Sequence, residues 1–166
     1  MLFTDSRFVR LWAIGGLIGV IRWLEILVIG IYAFQVSGSP FVVAAMLVAR
    51  MAPMVLFGTI IGAIVENRDR RRVQISAYIL MTLAAVTSAT AASTEVMSLP
   101  LLAGVAFLIG LGWSIDFPVR RTLIGDAVGP ERLGNAMSFE SATNSATRMI
   151  GPLIGGVTYQ VFGLEG

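Results

Sequence analysis

The sequence contains no cysteine and no histidine, and each absence excludes a class of chemistry. Without cysteine the chain has no disulfide, no thiolate nucleophile and no thiolate metal site. Without histidine it lacks the usual general base and the commonest metal ligand. We therefore expect neither a bound metal nor a cofactor, and any proton that the chain carries must be held by a carboxylate.

Charged residues are scarce, at 13% of the 166 residues, whereas 56% are hydrophobic and the mean hydropathy is +0.83. A soluble domain carries about 25% charged residues. So few polar side chains cannot cover a surface that faces water. The composition therefore predicts an integral membrane protein, and the length suits a single membrane domain.

Five apolar stretches each approach the roughly 20 residues that cross the hydrocarbon core of a bilayer. We predict an all-α fold with membrane spans at 11–36, 41–65, 73–92, 97–117 and 136–162. The connections between them are short and contain turn residues. Ser37-Gly38-Ser39-Pro40 joins the first two spans, and Gly129-Pro130 lies just before the fifth.

All twelve basic residues are arginine, and their distribution predicts the orientation of the chain. Nine lie in three segments: before the first span, in the connection between the second and third spans, and in the connection between the fourth and fifth. The other connections contain no arginine. Basic residues accumulate in cytoplasmic loops. We expect a multi-pass protein of the plasma membrane, specifically a bacterial inner membrane, with a cytoplasmic N-terminus. The pattern indicates membrane topology, not nucleic-acid binding, although the pI is about 9.7.

Four charged residues lie near the middle of predicted spans: Arg22 and Glu25 in the first, Arg50 in the second and Arg148 in the fifth. Each costs about 2.5–3.5 kcal/mol at the centre of a helix, so such residues normally face a bundle interior or a wet cavity. Arg22 and Glu25 are three residues apart and can pair on one helix face. The four residues form either structural ion pairs or a substrate or proton site.

Glu25 is the acidic residue among these four and the candidate proton carrier. The other three are positive, and this imbalance requires a carboxylate elsewhere or an anionic substrate. Asp116 and Glu140 lie near the cytoplasmic ends of their spans, where we expect them to pair with Arg120 and Arg121 or with other interfacial groups and not to bind substrate.

Small residues recur at a spacing of four, which brings them onto one helix face and favours close helix packing. The pairs are Gly15 with Gly19, Gly58 with Gly62, and Gly151 with Gly155. Pro152 also lies within a span, where it removes a backbone donor.

Several motifs resemble those of the major facilitator superfamily. The stretch from Gly62 to Arg72 is similar to its loop signature, with Gly, three residues, an acid and a basic run. Phe117-Pro118-Val119-Arg120-Arg121 and the following 129–136 resemble the loop after the fourth helix of drug and siderophore exporters. Gly151-Pro152-Leu153-Ile154-Gly155-Gly156 is similar to the antiporter signature of the fifth helix.

The resemblance implies a secondary active transporter that exports small molecules by alternating access, and not an enzyme. That fold has about twelve helices in two halves. This chain would supply five helices of an incomplete six-helix N-terminal half, as an N-terminal fragment. Its partners would be the lipid bilayer, a small-molecule substrate and the missing C-terminal half.

The resemblance also implies roles for particular residues. Arg22, Glu25, Arg50 and Arg148 would lie on the substrate or proton path. Gly62, Glu66, Arg70, Arg71 and Arg120 would form the cytoplasmic gate, and Gly151, Pro152, Gly155 and Gly156 the fifth-helix signature. The chain departs from the family pattern in several places. Glu66 replaces the usual aspartate, Asn67 a basic residue, Asp69 a glycine and Thr147 a small residue, and the fourth span has no arginine at mid-depth. The alternative is a truncated, non-transporting membrane module, or a scaffold that pairs with another chain.

Overall fold

The computed structural model describes residues 2–162, apart from the side chains of Thr4, Glu66 and Phe162. These residues form a bundle of five long helices and contain no strand. The helices are α1 (Ser6–Ser37), α2 (Pro40–Glu66), α3 (Arg70–Ser93), α4 (Leu99–Val128) and α5 (Leu133–Phe162). Short 3₁₀ turns occur at Leu2–Thr4 and Pro130–Arg132. The five predicted spans all correspond to helices.

Local chemistry explains where the helices begin and end. The carboxylate of Asp5 accepts a hydrogen bond from the backbone N–H of Arg7 and caps the start of α1. Asp69 caps α3 in the same way. Pro40 occupies the first turn of α2, where no backbone donor is needed. Gly38 ends α1 with φ of 64°, a left-handed conformation that favours glycine.

The fourth helix differs from its predicted span of 97–117. It begins at Leu99 and continues past Phe117 to Val128, with Pro118 inside it. The stretch after Phe117 is therefore helix and not a loop. Asp116 and Arg120, one turn apart, form an ion pair across the proline. Thirty residues of helix extend about 45 Å, so α4 projects beyond a hydrocarbon core of about 30 Å.

Four of the helices in the described residues, α1 to α4, are long and apolar enough to cross a membrane. The fifth helix is as long as α4 but does not reach this level of hydropathy. It carries Glu140, Asn144 and Arg148 at intervals of four residues, together with several serines and threonines. This spacing places the three side chains on one face of α5.

The helices pack as two parallel pairs, α1 with α5 and α2 with α4, and α3 packs antiparallel against α4. The start of α1 and the connections at 67–69 and 129–132 therefore meet at one end, which we call the basic end of the bundle. An apolar cluster of Phe8, Ile124, Val128 and Ala136 fills this end. A second cluster at the opposite end joins α1, α2 and α4.

Glycine sets how closely α4 approaches its neighbours. Gly110 lies directly against the backbone carbonyl of Arg50 on α2, and Gly112 against the side chain of Met81 on α3. A Cβ atom at either position would overlap the neighbouring helix. These two glycines allow α4 to lie between α2 and α3, whereas Gly104 on the same helix has open space around it.

We expect Gly110→Ala to destabilise the bundle, because the new methyl group meets backbone that cannot rotate away. Overpacking of this kind costs about 1–3 kcal/mol. Thermal unfolding of the purified protein in detergent should show a melting temperature several degrees lower. Gly104→Ala is the matched control and should leave it unchanged or raise it. Equal effects of the two substitutions would contradict the proposed contact.

Candidate functional site

Glu25 and Arg50 form an ion pair between α1 and α2 in the interior of the bundle. The guanidinium Nη2 of Arg50 donates to a carboxylate oxygen of Glu25 at 3.4 Å. The side chain of Arg50 is 9% exposed and that of Glu25 is 19% exposed. Two of the four charges predicted at mid-span are therefore brought together, and each compensates the other.

Arg22 does not pair with Glu25, although their spacing allows it. Three residues on a helix separate side chains by about 60° around its axis. This rotation directs Glu25 to α2, whereas Arg22 donates a hydrogen bond to the amide oxygen of Asn144 on α5. The Arg22 guanidinium also lies 4.7 Å from the ring centre of Trp113 on α4. Arg22 thus has neutral partners where a carboxylate was expected.

Arg148 and Arg22 meet at the same indole. Their guanidinium carbons lie 5.2 and 5.0 Å from the ring centre of Trp23 on α1, within the range of cation–π contacts. Gly151 packs against Trp23. A Cβ atom at this position would lie 2.6 Å from the Cβ of Trp23, so the glycine allows α5 to lie close to α1. We call Arg22, Trp23, Trp113, Asn144 and Arg148 the mid-bundle cluster.

A second polar cluster lies toward the basic end and is centred on Arg120 of α4. Its guanidinium lies 3.4 Å from a carboxylate oxygen of Asp116 and 2.9 Å from one of Glu140 on α5. Asp116 is fully buried, and Arg120 and Glu140 are 7% and 5% exposed. Gln74 of α3 donates a second hydrogen bond to Asp116. The guanidinium of Arg120 also fills the space that Gly15 of α1 leaves open.

The predicted pairing of Asp116 and Glu140 with Arg120 and Arg121 is confirmed. Arg121 lies 3.6 Å from the second oxygen of Glu140, so this carboxylate bridges both arginines. The two acids and the two bases balance in charge. We call Asp116, Arg120, Arg121 and Glu140 the Arg120 network.

Of the three predicted glycine pairs, Gly151 with Gly155 lies at the interface of α1 and α5, whereas Gly15 with Gly19 is divided between Arg120 of α4 and α5. Gly19 packs against Thr147, and Gly155 packs against Leu27. Within the fifth-helix signature, Gly151 and Gly155 are buried against α1, Pro152 lies inside the helix, and Gly156 is exposed.

The pair of Gly58 and Gly62 does not pack inside the bundle. A Cβ atom added at either position would meet none of the described residues within 4 Å. The spacing of four shows that the two glycines share one face of α2, but it does not show whether that face meets another helix. In the bundle this face of α2 points outward.

The remaining residues of the predicted gate lie at the basic end but are not all brought together. Arg70 pairs with Asp126 of α4 at 2.6 Å on the surface, and Arg71 is exposed. The side chain of Glu66 lies outside the described residues. Arg120 is held by Asp116 and Glu140, and so belongs to a buried network of its own.

Several polar residues of the two clusters were not among the predicted site residues, namely Asn144, Glu140, Asp116 and Gln74. The spacing of Glu140, Asn144 and Arg148 was a usable signal, because polar residues repeated every four positions in a span mark a face turned from lipid. Gln74 offers no such signal, since its role depends on the packing of α3 against α4. In the described part of the chain, no group of acidic side chains is placed to hold a metal ion.

Long apolar helices that are joined by buried ion pairs are typical of a multi-pass membrane protein. Sequence comparison gives the family. The model of the family described as Transmembrane secretion effector, within the major facilitator superfamily, matches residues 3–165. The chain belongs to this family of transporters.

Two curated relatives are similar to the chain, both described as Macrolide efflux protein A, one from Streptococcus pyogenes and one from its serotype M6. Each is 22% identical over 161 residues, which cover 96% of this chain and 39% of the relative. The chain thus spans about two fifths of the length of the curated relatives that it matches. No solved structure gives a significant match.

The Arg120 network predicts a large effect of Glu140→Gln on stability. The substitution leaves Arg120 and Arg121 with one carboxylate, and breaking a buried ion pair from one side costs roughly 3–5 kcal/mol. Thermal unfolding in detergent should show a much lower melting temperature. Glu131→Gln, at an exposed acid in the turn before α5, is the control and should have no measurable effect. Similar melting temperatures for both variants would show that the network does not stabilise the fold.

Proposed function

We propose that this chain provides membrane-spanning helices of a secondary transporter that exports small molecules by alternating access. Membership of a transporter family supports a role in transport. The export direction is supported by the similarity to an efflux protein. By that analogy a macrolide is one candidate substrate.

The observation that carries the proposal is the mid-bundle cluster together with the Glu25–Arg50 pair. Four charged side chains lie near the middle of three long helices and contact one another or indoles. Charge in this part of a membrane protein is costly and typically marks a substrate or ion pathway. In secondary transporters, binding sites lie near the middle of the bilayer.

We further propose that Glu25 carries the proton in proton-coupled antiport. It is an acidic group at mid-depth, and its partner Arg50 is on a different helix. A relative movement of α1 and α2 would separate the two charges. A carboxylate that loses its cationic partner in a medium of low dielectric constant favours the protonated form.

The proposal places the basic end in the cytoplasm, and the protein in the cell membrane. Gly62, Glu66, Arg70, Arg71 and Arg120 would then act at the cytoplasmic gate. The outward face of α2 around Gly58 and Gly62 would pack against the second helical half of the transporter, because the relatives are more than twice as long as this chain.

Transport in everted membrane vesicles tests the function. Vesicles that contain the transporter at its natural full length should accumulate a macrolide or an amphipathic dye when respiration acidifies their interior. A protonophore should abolish this accumulation. Glu25→Gln, which cannot release a proton, should reduce gradient-driven accumulation to the background of empty vesicles.

Glu95→Gln is the matched control, because Glu95 lies in the exposed connection between α3 and α4 at the other end of the bundle from the Arg120 network. It should retain full transport. Accumulation that survives both the protonophore and Glu25→Gln would exclude proton coupling through Glu25. A complete absence of transport for every compound would contradict the export function itself.

The proposed orientation predicts which introduced cysteines a reagent can label from outside the cell. Because this chain contains no cysteine, single substitutions at Glu95 and Glu131 provide unique sites in a cysteine-free background. In intact cells a membrane-impermeant maleimide should react with Glu95→Cys and not with Glu131→Cys. Permeabilised cells should show both reactions. The reverse pattern in intact cells would place the N-terminus outside.

A further inference from the structure

Charge compensation divides the arginines of the two polar clusters and the Glu25–Arg50 pair into two groups. Arg50 is paired with Glu25, and Arg120 and Arg121 are paired with Asp116 and Glu140. Arg22 and Arg148 are different, because none of the described carboxylates lies within ion-pair distance of either. Both uncompensated arginines belong to the mid-bundle cluster.

The two uncompensated charges lie close together. Each guanidinium is about 5 Å from the centre of the Trp23 indole, so the two are no more than about 10 Å apart. Like charges at this distance repel one another in a medium of low dielectric constant. A ligand with negative charge removes this repulsion, whereas a cationic ligand adds to it.

The neutral groups of the cluster also favour a ligand that accepts hydrogen bonds. The Nε of Arg22 and the indole N–H of Trp23 are buried and have no acceptor within residues 2–162. The one acceptor that Arg22 does have is the amide oxygen of Asn144, which carries no net charge. Donors therefore exceed acceptors, and the indole rings of Trp23 and Trp113 add flat apolar surface.

Arg148 is accessible to such a ligand. Its side chain is exposed on α5 and approaches the cluster only through the face of Trp23. Arg22 lines a narrow cleft between α1, α4 and α5 that continues toward the Arg120 network. A molecule that engages both arginines would lie beside Trp23, whose ring both guanidiniums contact.

We propose that the mid-bundle cluster binds the anionic group of an amphipathic organic anion, such as a carboxylate or sulfonate on an apolar body. Arg22 and Arg148 hold the anion, and Trp23 and Trp113 contact the apolar part. This inference rests on the proposed export function and specifies its substrate class.

Three pyrene compounds of matched size test the charge preference: pyrenebutyrate, pyrenebutanol and pyrenebutyl-trimethylammonium. Everted vesicles that contain the full-length transporter should accumulate the anion in preference to the alcohol and the cation. Arg22→Gln and Arg148→Gln should each raise the KM for pyrenebutyrate at least about tenfold, the loss expected for one charge-assisted hydrogen bond. Arg148→Lys should restore part of the affinity, and Arg148→Glu should shift the preference toward the cation.

Arg7→Gln is the control, since Arg7 is exposed in the first turn of α1 and lies far from the cluster along that helix. It should transport like the wild type at equal amounts in the membrane. If a macrolide or the cation is exported and pyrenebutyrate is not, the export function stands and the anion site is refuted. If Arg148→Gln impairs all compounds equally, Arg148 has a structural role and the proposal fails. If nothing is exported, the function and the anion site fail together.

Discussion

The position of α4 depends on the buried charge of Arg120. Its guanidinium contacts carboxylates on α4 and α5 and packs on Gly15 of α1, and Gln74 of α3 holds Asp116 in place. In a low-dielectric interior, leaving one charge unpaired costs far more free energy than the intact ion pair contributes to stability. Displacement of α5 would take Glu140 away from Arg120, and displacement of α1 or α3 would remove a neutral contact of the same network. The network therefore fixes the basic end of the bundle as one unit.

A different arrangement holds the middle of the bundle. The Glu25–Arg50 pair connects α1 to α2, and Gly110 lets α2 approach α4 at the same residue, Arg50. Arg50 thus contributes a charge on one side and a close backbone contact on the other. A movement of α1 relative to α2 breaks one ion pair, between Glu25 and Arg50. A movement of α4 relative to α5 at the basic end breaks two, because Glu140 pairs with both Arg120 and Arg121. The middle is the part of the bundle in which charge can be rearranged.

Periodicity and composition sufficed to predict five helices, most of their limits and the sign of the charge at each end. They failed for α4, because Phe117-Pro118 resembles a helix end while the helix continues to Val128. The sequence also identified the charged positions but not all the partners. Asp116 and Arg120 are neighbours on one helix and were predictable, whereas the choice of Arg50 over Arg22 for Glu25 depends on how α1 is rotated. That rotation is a property of the packed bundle, and no local pattern encodes it.

The partners of an arginine decide what it can do in a transporter. Arg50 and Arg120 face carboxylates, and a ligand that engaged either would have to compete with a full opposite charge. Arg22 and Arg148 are held by indole faces and a neutral amide, contacts that position a guanidinium without neutralising it. In the proposed site an incoming anion would not have to displace a carboxylate from either arginine, and could leave again without having broken an ion pair. A transport site needs both properties, because a substrate that is bound too tightly is not released.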